Sequence, residues 1–148
     1  MRLRDAVTEK YASDAESVAS GRRSIADPQD VVLAIGVGRV AIGTTFLLAP
    51  RLSVRILGVD TASAKRMTFL ARMTAARDIG LGAGTLDAAS STAVVPWLMA
   101  GAAADAVDAL ALAGAMKRGV VRGVPAAGTV VGAAMVAAVG VWAARAVR

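Results

Sequence analysis

The residues from 124 to 144 form an apolar run without a single charged side chain. A helix needs about 20 residues to cross the ~30 Å hydrocarbon core of a bilayer, so this run has the length of one transmembrane helix. Pro125 stands in its first turn, where a proline is tolerated because the N–H that it lacks would have no helical partner there. The run therefore predicts a membrane-spanning helix.

Three other runs of Ala, Val, Gly and Leu are of similar length. Together with the first they predict an all-α fold, a four-transmembrane-helix bundle with spans at about 31–49, 67–86, 94–116 and 124–144. The run 67–86 is the least apolar, since it contains Arg72, Arg77 and Asp78. Each such residue costs about 2.5 to 3.5 kcal/mol at the centre of an inserted helix, so this span needs partners within the bundle.

Two polar segments lie outside these runs. Residues 1–30 alternate acidic and basic side chains and predict a polar N-terminal segment, amphipathic or disordered, in front of the transmembrane domain 31–148. The link from Arg51 to Arg66 mixes basic residues with Leu and Val, a mixture typical of an interfacial turn or short helix.

Composition narrows the chemistry. The chain has neither cysteine nor histidine, which excludes disulfides, Cys/His zinc sites, thiol nucleophiles and histidine-based triads, and we predict neither a metal nor a cofactor. Its formal charge of +6 comes mostly from arginine, but only 3% of residues are aromatic. With so few aromatic residues for base stacking, the basicity indicates a lipid bilayer as partner and no nucleic acid.

Charged residues inside the predicted spans are the main functional clue. An intramembrane polar cluster is predicted near the midpoints of the first three spans, formed by Arg39, Arg77, Asp78, Asp105 and Asp108. Antiparallel helices bring these residues to one depth, and Asp105 and Asp108 share a helix face. Two interpretations stay open: an ion-pair network that determines which helices are neighbours, or a path for ions, protons or substrate.

Small and aromatic residues suggest how the helices pack. Glycines at helical spacing predict close helix contacts at Gly80, Gly84, Gly128, Gly132 and Gly140. In four antiparallel passes, Trp97 and Trp142 fall on the same membrane face as both termini. We expect them to act as interface anchors.

One segment imitates a soluble nucleotide-binding unit. In residues 31–60, Gly36 and Gly38 follow an apolar stretch, and a second apolar stretch ends at Asp60. A dinucleotide site uses such glycines for the pyrophosphate and such an acid for the ribose. That interpretation requires strands around a parallel sheet, whereas the sequence after Asp60 has the small-residue spacing of helices.

Several short motifs together resemble a known family. They are Gly38-Arg39 in the first span, Leu47-Leu48-Ala49-Pro50 with Gly58 after it, Arg77-Asp78 followed by spaced glycines, and the aspartates of the third span. The pattern resembles small four-helix bacterial membrane proteins of the DoxX-like kind, including relatives known only as domains of unknown function, and covers about residues 31–144. The resemblance implies a bacterial plasma-membrane location and a link with membrane oxidoreductase systems, although this chain has no Cys or His to hold a redox centre.

We therefore expect a multi-pass plasma-membrane protein that serves as an accessory or scaffold subunit, in a larger membrane complex or as a homo-oligomer. The alternative is a small transporter or lipid/quinone-binding protein whose midplane charges contact the cargo. A soluble nucleotide-binding protein is the third hypothesis. Basic residues flanking the spans are tied, seven on each side, and the long polar tail favours cytoplasmic termini. No catalytic residue is predicted.

Overall fold

The computed structural model describes residues 27–148, and this part of the chain contains helices and no strand. The helices are α1 (Pro28–Leu48), α2 (Pro50–Ile56), α3 (Thr61–Arg66), α4 (Thr68–Asp87), α5 (Val94–Lys117) and α6 (Val124–Ala146). The all-α prediction is confirmed. Of the predicted N-terminal segment, residues 1–26 lie outside the described residues, and the last residues of it form the cap and first turn of α1.

Local signals explain where the helices begin. The side chain of Asp27 accepts a hydrogen bond of 2.9 Å from the backbone N–H of Gln29, and Pro28 occupies the first turn. This N-cap starts α1 three residues before the apolar run, because capping depends on polar groups that hydropathy does not detect. Asp60 caps α3 in the same way, accepting from Ala62 and Ser63 at 3.0 Å.

The four long helices run antiparallel. A hydrophobic cluster at one end of the molecule joins the start of α1 (Val32), the end of α4 (Ala88), the start of α5 (Leu98) and the end of α6 (Ala143). Both ends of the described chain therefore lie on this side, which we call the terminal end. The segment with α2 and α3 and the α5–α6 turn lie at the opposite end, the loop end.

The bundle consists of two helical hairpins. The most extensive contacts are between α1 and α4 and between α5 and α6. At the loop end the α2–α3 segment meets the α5–α6 turn: Gly58 has φ 85°, and a side chain there would lie 2.9 Å from the carbonyl oxygen of Arg122. Glycine is required because both this left-handed conformation and this close approach exclude a Cβ atom.

Three helices, α1, α5 and α6, are long and apolar enough to cross a membrane. Only 17% to 22% of the most apolar stretch of each is buried within the chain, so most of their apolar surface faces outward. Large side chains such as Leu110 and Val107 are exposed. A soluble protein rarely exposes so much contiguous apolar surface. These features are those of a small membrane protein.

Helix α4 differs from the other three. It has 20 residues but carries four charged side chains, Arg72, Arg77, Asp78 and Asp87. It is not among the helices that are apolar enough by composition to span, so the predicted fourth span remains a prediction.

The interpretation of residues 31–60 as a dinucleotide-binding unit is wrong. Gly36 and Gly38 lie inside one continuous helix, α1, rather than in a turn between a strand and a helix. A dinucleotide site needs that turn at the edge of a parallel sheet, and no sheet is present among residues 27–148.

Candidate functional site

Three helices contribute the charged residues of the candidate site. Arg39 lies in the middle of α1, Arg77 and Asp78 in the middle of α4, and Asp105 and Asp108 in the middle of α5. Because α4 runs antiparallel to both α1 and α5, the midpoints of the three helices meet at one level of the bundle. The structure brings all five predicted residues together at that level.

Arg39 is the centre of the network. Its Nη1 lies 3.4 Å from Oδ1 of Asp78, and its Nη2 lies 2.5 Å from Oδ2 of Asp105. One guanidinium on α1 therefore binds carboxylates from both α4 and α5. It is the only side chain of the network whose contacts involve three helices, and it connects the α1–α4 hairpin to the α5–α6 hairpin.

Arg77 forms the second half of the network. Its Nη1 and Nη2 donate to the two carboxylate oxygens of Asp108 at 3.2 Å and 2.6 Å, which is the bidentate geometry. Its Nε and Nη2 also donate to Oδ1 of Asp78 at 3.3 Å and 3.2 Å. Asp78 is thus shared by both arginines, and the order of contacts is Asp105, Arg39, Asp78, Arg77, Asp108.

Burial changes along this chain of contacts. The Arg39 side chain is 8% exposed, and those of Asp78 and Asp105 are 14% exposed. Arg77 is 34% and Asp108 44% exposed. The network begins in the core of the bundle and ends on its surface, next to the boundary between α4 and α5.

Gly101 is a part of the site that sequence reasoning missed. A side-chain carbon on Gly101 would lie 2.7 Å from Nη2 of Arg39 and 3.0 Å from its Cζ, so the missing side chain makes the space for the guanidinium. Gly101 precedes Asp105 by four residues, which places both on the same face of α5. The sequence signal for this space was a glycine one helical turn before the aspartate of the predicted cluster.

The predicted packing glycines divide into two groups. A side chain at Gly84 would collide with the ring of Trp97, and one at Gly140 would lie 3.3 Å from Cβ of Ala102, so these two lie in contacts between helices. Around Gly80, Gly128 and Gly132 no atom of a facing helix of the described chain lies within 4 Å of such a carbon. Close packing at these three positions stays a prediction.

The backbones of α1 and α4 approach each other closely at Gly43 and Gly82. At Gly43 of α1 a side chain would lie 2.8 Å from the carbonyl oxygen of Ala75. At Gly82 of α4 it would lie 2.8 Å from that of Gly36. Gly36 and Gly43 lie before and after Arg39 on α1, so the backbones of α1 and α4 come together on both sides of Arg39. This close packing fixes the rotation of α1 that points Arg39 toward α5.

Both tryptophans lie where antiparallel passes require. Trp97 is near the start of α5 and Trp142 near the end of α6, so both lie toward the terminal end, and both are about half exposed. Their role as interface anchors stays a prediction.

The chemistry of the network is that of mutual neutralisation. Among residues 27–148 no buried side-chain nitrogen or oxygen lacks a hydrogen-bond partner. Each aspartate of the network already accepts from a guanidinium. The five charged groups are thus paired with one another across α1, α4 and α5.

No family model, curated protein or solved structure matches this chain.

Proposed function

We propose that this protein is a four-helix integral membrane protein that acts as an accessory or scaffold subunit of a membrane complex. The observation that carries the proposal is the exposure of the Arg77–Asp108 pair at the middle level of an otherwise apolar bundle surface. In hydrocarbon an exposed ion pair is costly, and intramembrane charges usually face protein or water. A partner that covers this pair removes that cost.

Pairing of its charged residues also lowers the free-energy cost of inserting α4 into a membrane. Arg77 and Asp78 each cost about 2.5 to 3.5 kcal/mol when inserted alone. In the folded bundle they form contacts with each other and with α1 and α5. Arg72 lies about 7.5 Å from Arg77 toward the loop end, at 1.5 Å per residue, and its long side chain reaches the interface.

The resemblance to DoxX-like proteins supports the same proposal. It implies four spans, a bacterial plasma membrane and participation in a membrane oxidoreductase system. In that system this chain would hold another subunit, with its termini on the cytoplasmic side.

The test begins with membrane attachment. After cell lysis without detergent, the protein should sediment with the membranes and resist extraction by carbonate. A protein that stays in the supernatant after ultracentrifugation would end the proposal.

The second step addresses the partner. Purification in mild detergent should yield a stoichiometric protein partner, or a homo-oligomer, with the wild type. The double variant Arg77→Leu/Asp108→Leu, which removes the pair without leaving a lone charge, should lose it. The matched control Asp87→Leu/Arg145→Leu removes one acid and one base that are exposed and unpaired within residues 27–148, and it should keep the partner.

The same experiment distinguishes the second candidate function. A small transporter or a lipid/quinone-binding protein would use the half-exposed Asp108 and Arg77 to contact its cargo. In that case the wild type would bring a lipid or small molecule, detected by mass spectrometry of the extract, in place of a protein, and the leucine pair would lose that molecule.

A further inference from the structure

A second arrangement of charged residues lies at the loop end of the bundle. The end of α1, the helix α2 and the start of α4 surround a shallow open depression of about 440 Å³. Leu48, Pro50 and Leu52 form its apolar wall, and Arg51 and Arg72 are the two charged residues that line it. None of these residues belongs to the arginine–aspartate network.

The two arginines differ from those of the network in their partners. Arg39 and Arg77 each bind two aspartates, whereas neither Arg51 nor Arg72 forms an ion pair with any carboxylate of residues 27–148. Thr68 also lines the depression, but its hydroxyl already donates to the carbonyl oxygen of Lys65 at 3.0 Å. Within residues 27–148, the charged residues that line the depression are therefore two arginines without a carboxylate partner.

The depth of the depression is decisive for its ligand. Arg39 marks the middle of α1, and Leu48 follows nine residues later, or about 13 Å along the helix. Half of the hydrocarbon core of a bilayer is about 15 Å thick. In the membrane placement proposed above, the depression lies at the boundary between acyl chains and headgroups.

The apolar wall matches that position. The side chain of Leu48 is 79% exposed and that of Leu52 is 58% exposed. Exposed leucines beside two arginines provide one surface for an acyl chain and another for a phosphate, and guanidinium groups suit phosphate because they donate in a planar fork.

We propose that this depression is a binding site for the phosphate headgroup of an anionic glycerophospholipid, with Arg51 and Arg72 on the phosphate and Leu48 and Leu52 along the first acyl carbons. The inference rests on the membrane placement of the proposed function but not on the partner subunit. Lipid bound there fills the space between α2 and the start of α4.

The test uses purified protein in nanodiscs of phosphatidylcholine with a minor fraction of phosphatidylglycerol. After extraction into mild detergent and washing, mass spectrometry counts the lipids retained per chain. The wild type should retain phosphatidylglycerol well above its fraction in the disc. Arg51→Gln/Arg72→Gln should lower that retention at least tenfold, and the matched control Arg66→Gln/Arg118→Gln, two exposed bases at the same end, should leave it unchanged.

Three results would overturn the proposal. Equal losses in the site and control variants would mean that general surface charge holds the lipid. Equal retention of phosphatidylglycerol and phosphatidylcholine would mean that the site does not recognise negative charge. Displacement of the lipid by millimolar inorganic phosphate would mean a site for free phosphate.

Carbonate extraction of the same variants separates this proposal from the earlier one. If all variants stay in the membrane but lipid retention does not depend on Arg51 and Arg72, the lipid site is wrong and the membrane placement stands. If the wild type itself leaves the membrane, the placement is wrong.

Discussion

The two hairpins of the bundle differ in how closely glycines bring their helix backbones together. In the α1–α4 hairpin, Gly43 and Gly82 each bring one backbone against the carbonyl of the facing helix. In the α5–α6 hairpin, Gly128 and Gly132 lie four residues apart on α6 and face open space, and Gly140 alone of these three meets the facing helix. The first hairpin also contains the charged helix that needs support within the chain, whereas α6 has no charge before its last turn.

This difference teaches how the charges are accommodated. Close backbone contact in the first hairpin fixes the rotation of α1 and α4, and that rotation directs Arg39 and Asp78 inward. The second hairpin supplies Asp105 and Asp108 from α5 and leaves the outer face of α6 free. Gly43 and Gly82 thus make the close backbone contacts beside the network, whereas Gly80 in the same hairpin and Gly128 and Gly132 in α6 face open space.

The first prediction tests whether the first hairpin spans the membrane at all, and a negative result would end the comparison of the two hairpins. A reporter active on only one side of the membrane is fused before Met1 in one protein and after Arg148 in another. Four spans place both reporters on the same side, and three spans, without α4, place them on opposite sides. A further fusion within residues 118–123 should report the side opposite to Arg148, since α6 lies between them.

The second prediction concerns the residue that joins the hairpins. Arg39→Leu removes the partner of Asp105 and one partner of Asp78, and should destabilise the fold by about 3 to 5 kcal/mol, the usual size for breaking a buried pair. Thermal unfolding in detergent measures it, with Arg145→Leu, an exposed arginine, as the control.

A double-mutant cycle sharpens this result. Arg39→Leu combined with Asp105→Asn should cost less than the sum of the two single changes, because the charges vanish together. Combined with Asp108→Asn, which faces Arg77, it should be close to additive. Additive behaviour in both cycles would mean that Arg39 is not paired as described.

The third prediction makes the same substitution in both hairpins and expects opposite signs. Gly43→Ala places a carbon 2.8 Å from the backbone oxygen of Ala75, and forcing the helices apart should destabilise by about 1 to 3 kcal/mol. Gly132→Ala meets nothing within the chain and should stabilise by about 0.5 to 1 kcal/mol through helix propensity. The free energy of unfolding of each variant, measured on monomers in detergent, tests this prediction. A destabilising effect of Gly132→Ala would contradict the open face of α6.

The fourth prediction has the smallest expected effect. It concerns Gly101, the glycine of the second hairpin that makes space for Arg39 of the first. Gly101→Ala crowds the guanidinium of Arg39, whose flexible end can shift, so the expected loss is about 1 kcal/mol. Gly114→Ala on the same helix meets only ordinary contacts and should not destabilise. In an Asp105→Asn background the loss at Gly101 should shrink, because the guanidinium is then free to move; an undiminished loss would indicate simple overpacking.

Much of the fold was predictable from local patterns. The runs 94–116 and 124–144 fall within α5 and α6, because hydropathy along one segment does not depend on the rest of the chain. The two short helices in the link Arg51 to Arg66 agree with its mixed composition. The capping of α1 by Asp27 extends it beyond the apolar run, which hydropathy alone does not detect.

The site was predictable in depth but not in partnership. Counting residues from the helix ends placed Arg39, Asp78 and Asp105 at one level. It did not show that Asp108 would take Arg77, nor that Gly101 would make room for Arg39. Those contacts depend on which helix faces which, a property of pairs of segments far apart in the chain.

By itself, the sequence determined that the chain forms long apolar helices and at which level each charged residue stands along its helix. Both follow from the composition of single segments and from the fixed rise of 1.5 Å per residue. Only the tertiary structure decided the neighbours and the rotation of each helix about its axis. Successive residues of a helix point in directions about 100° apart, so a small rotation exchanges one partner for another. Close contacts between helices, such as those at Gly43 and Gly82, favour the rotation that joins Arg39 to Asp78 and Asp105.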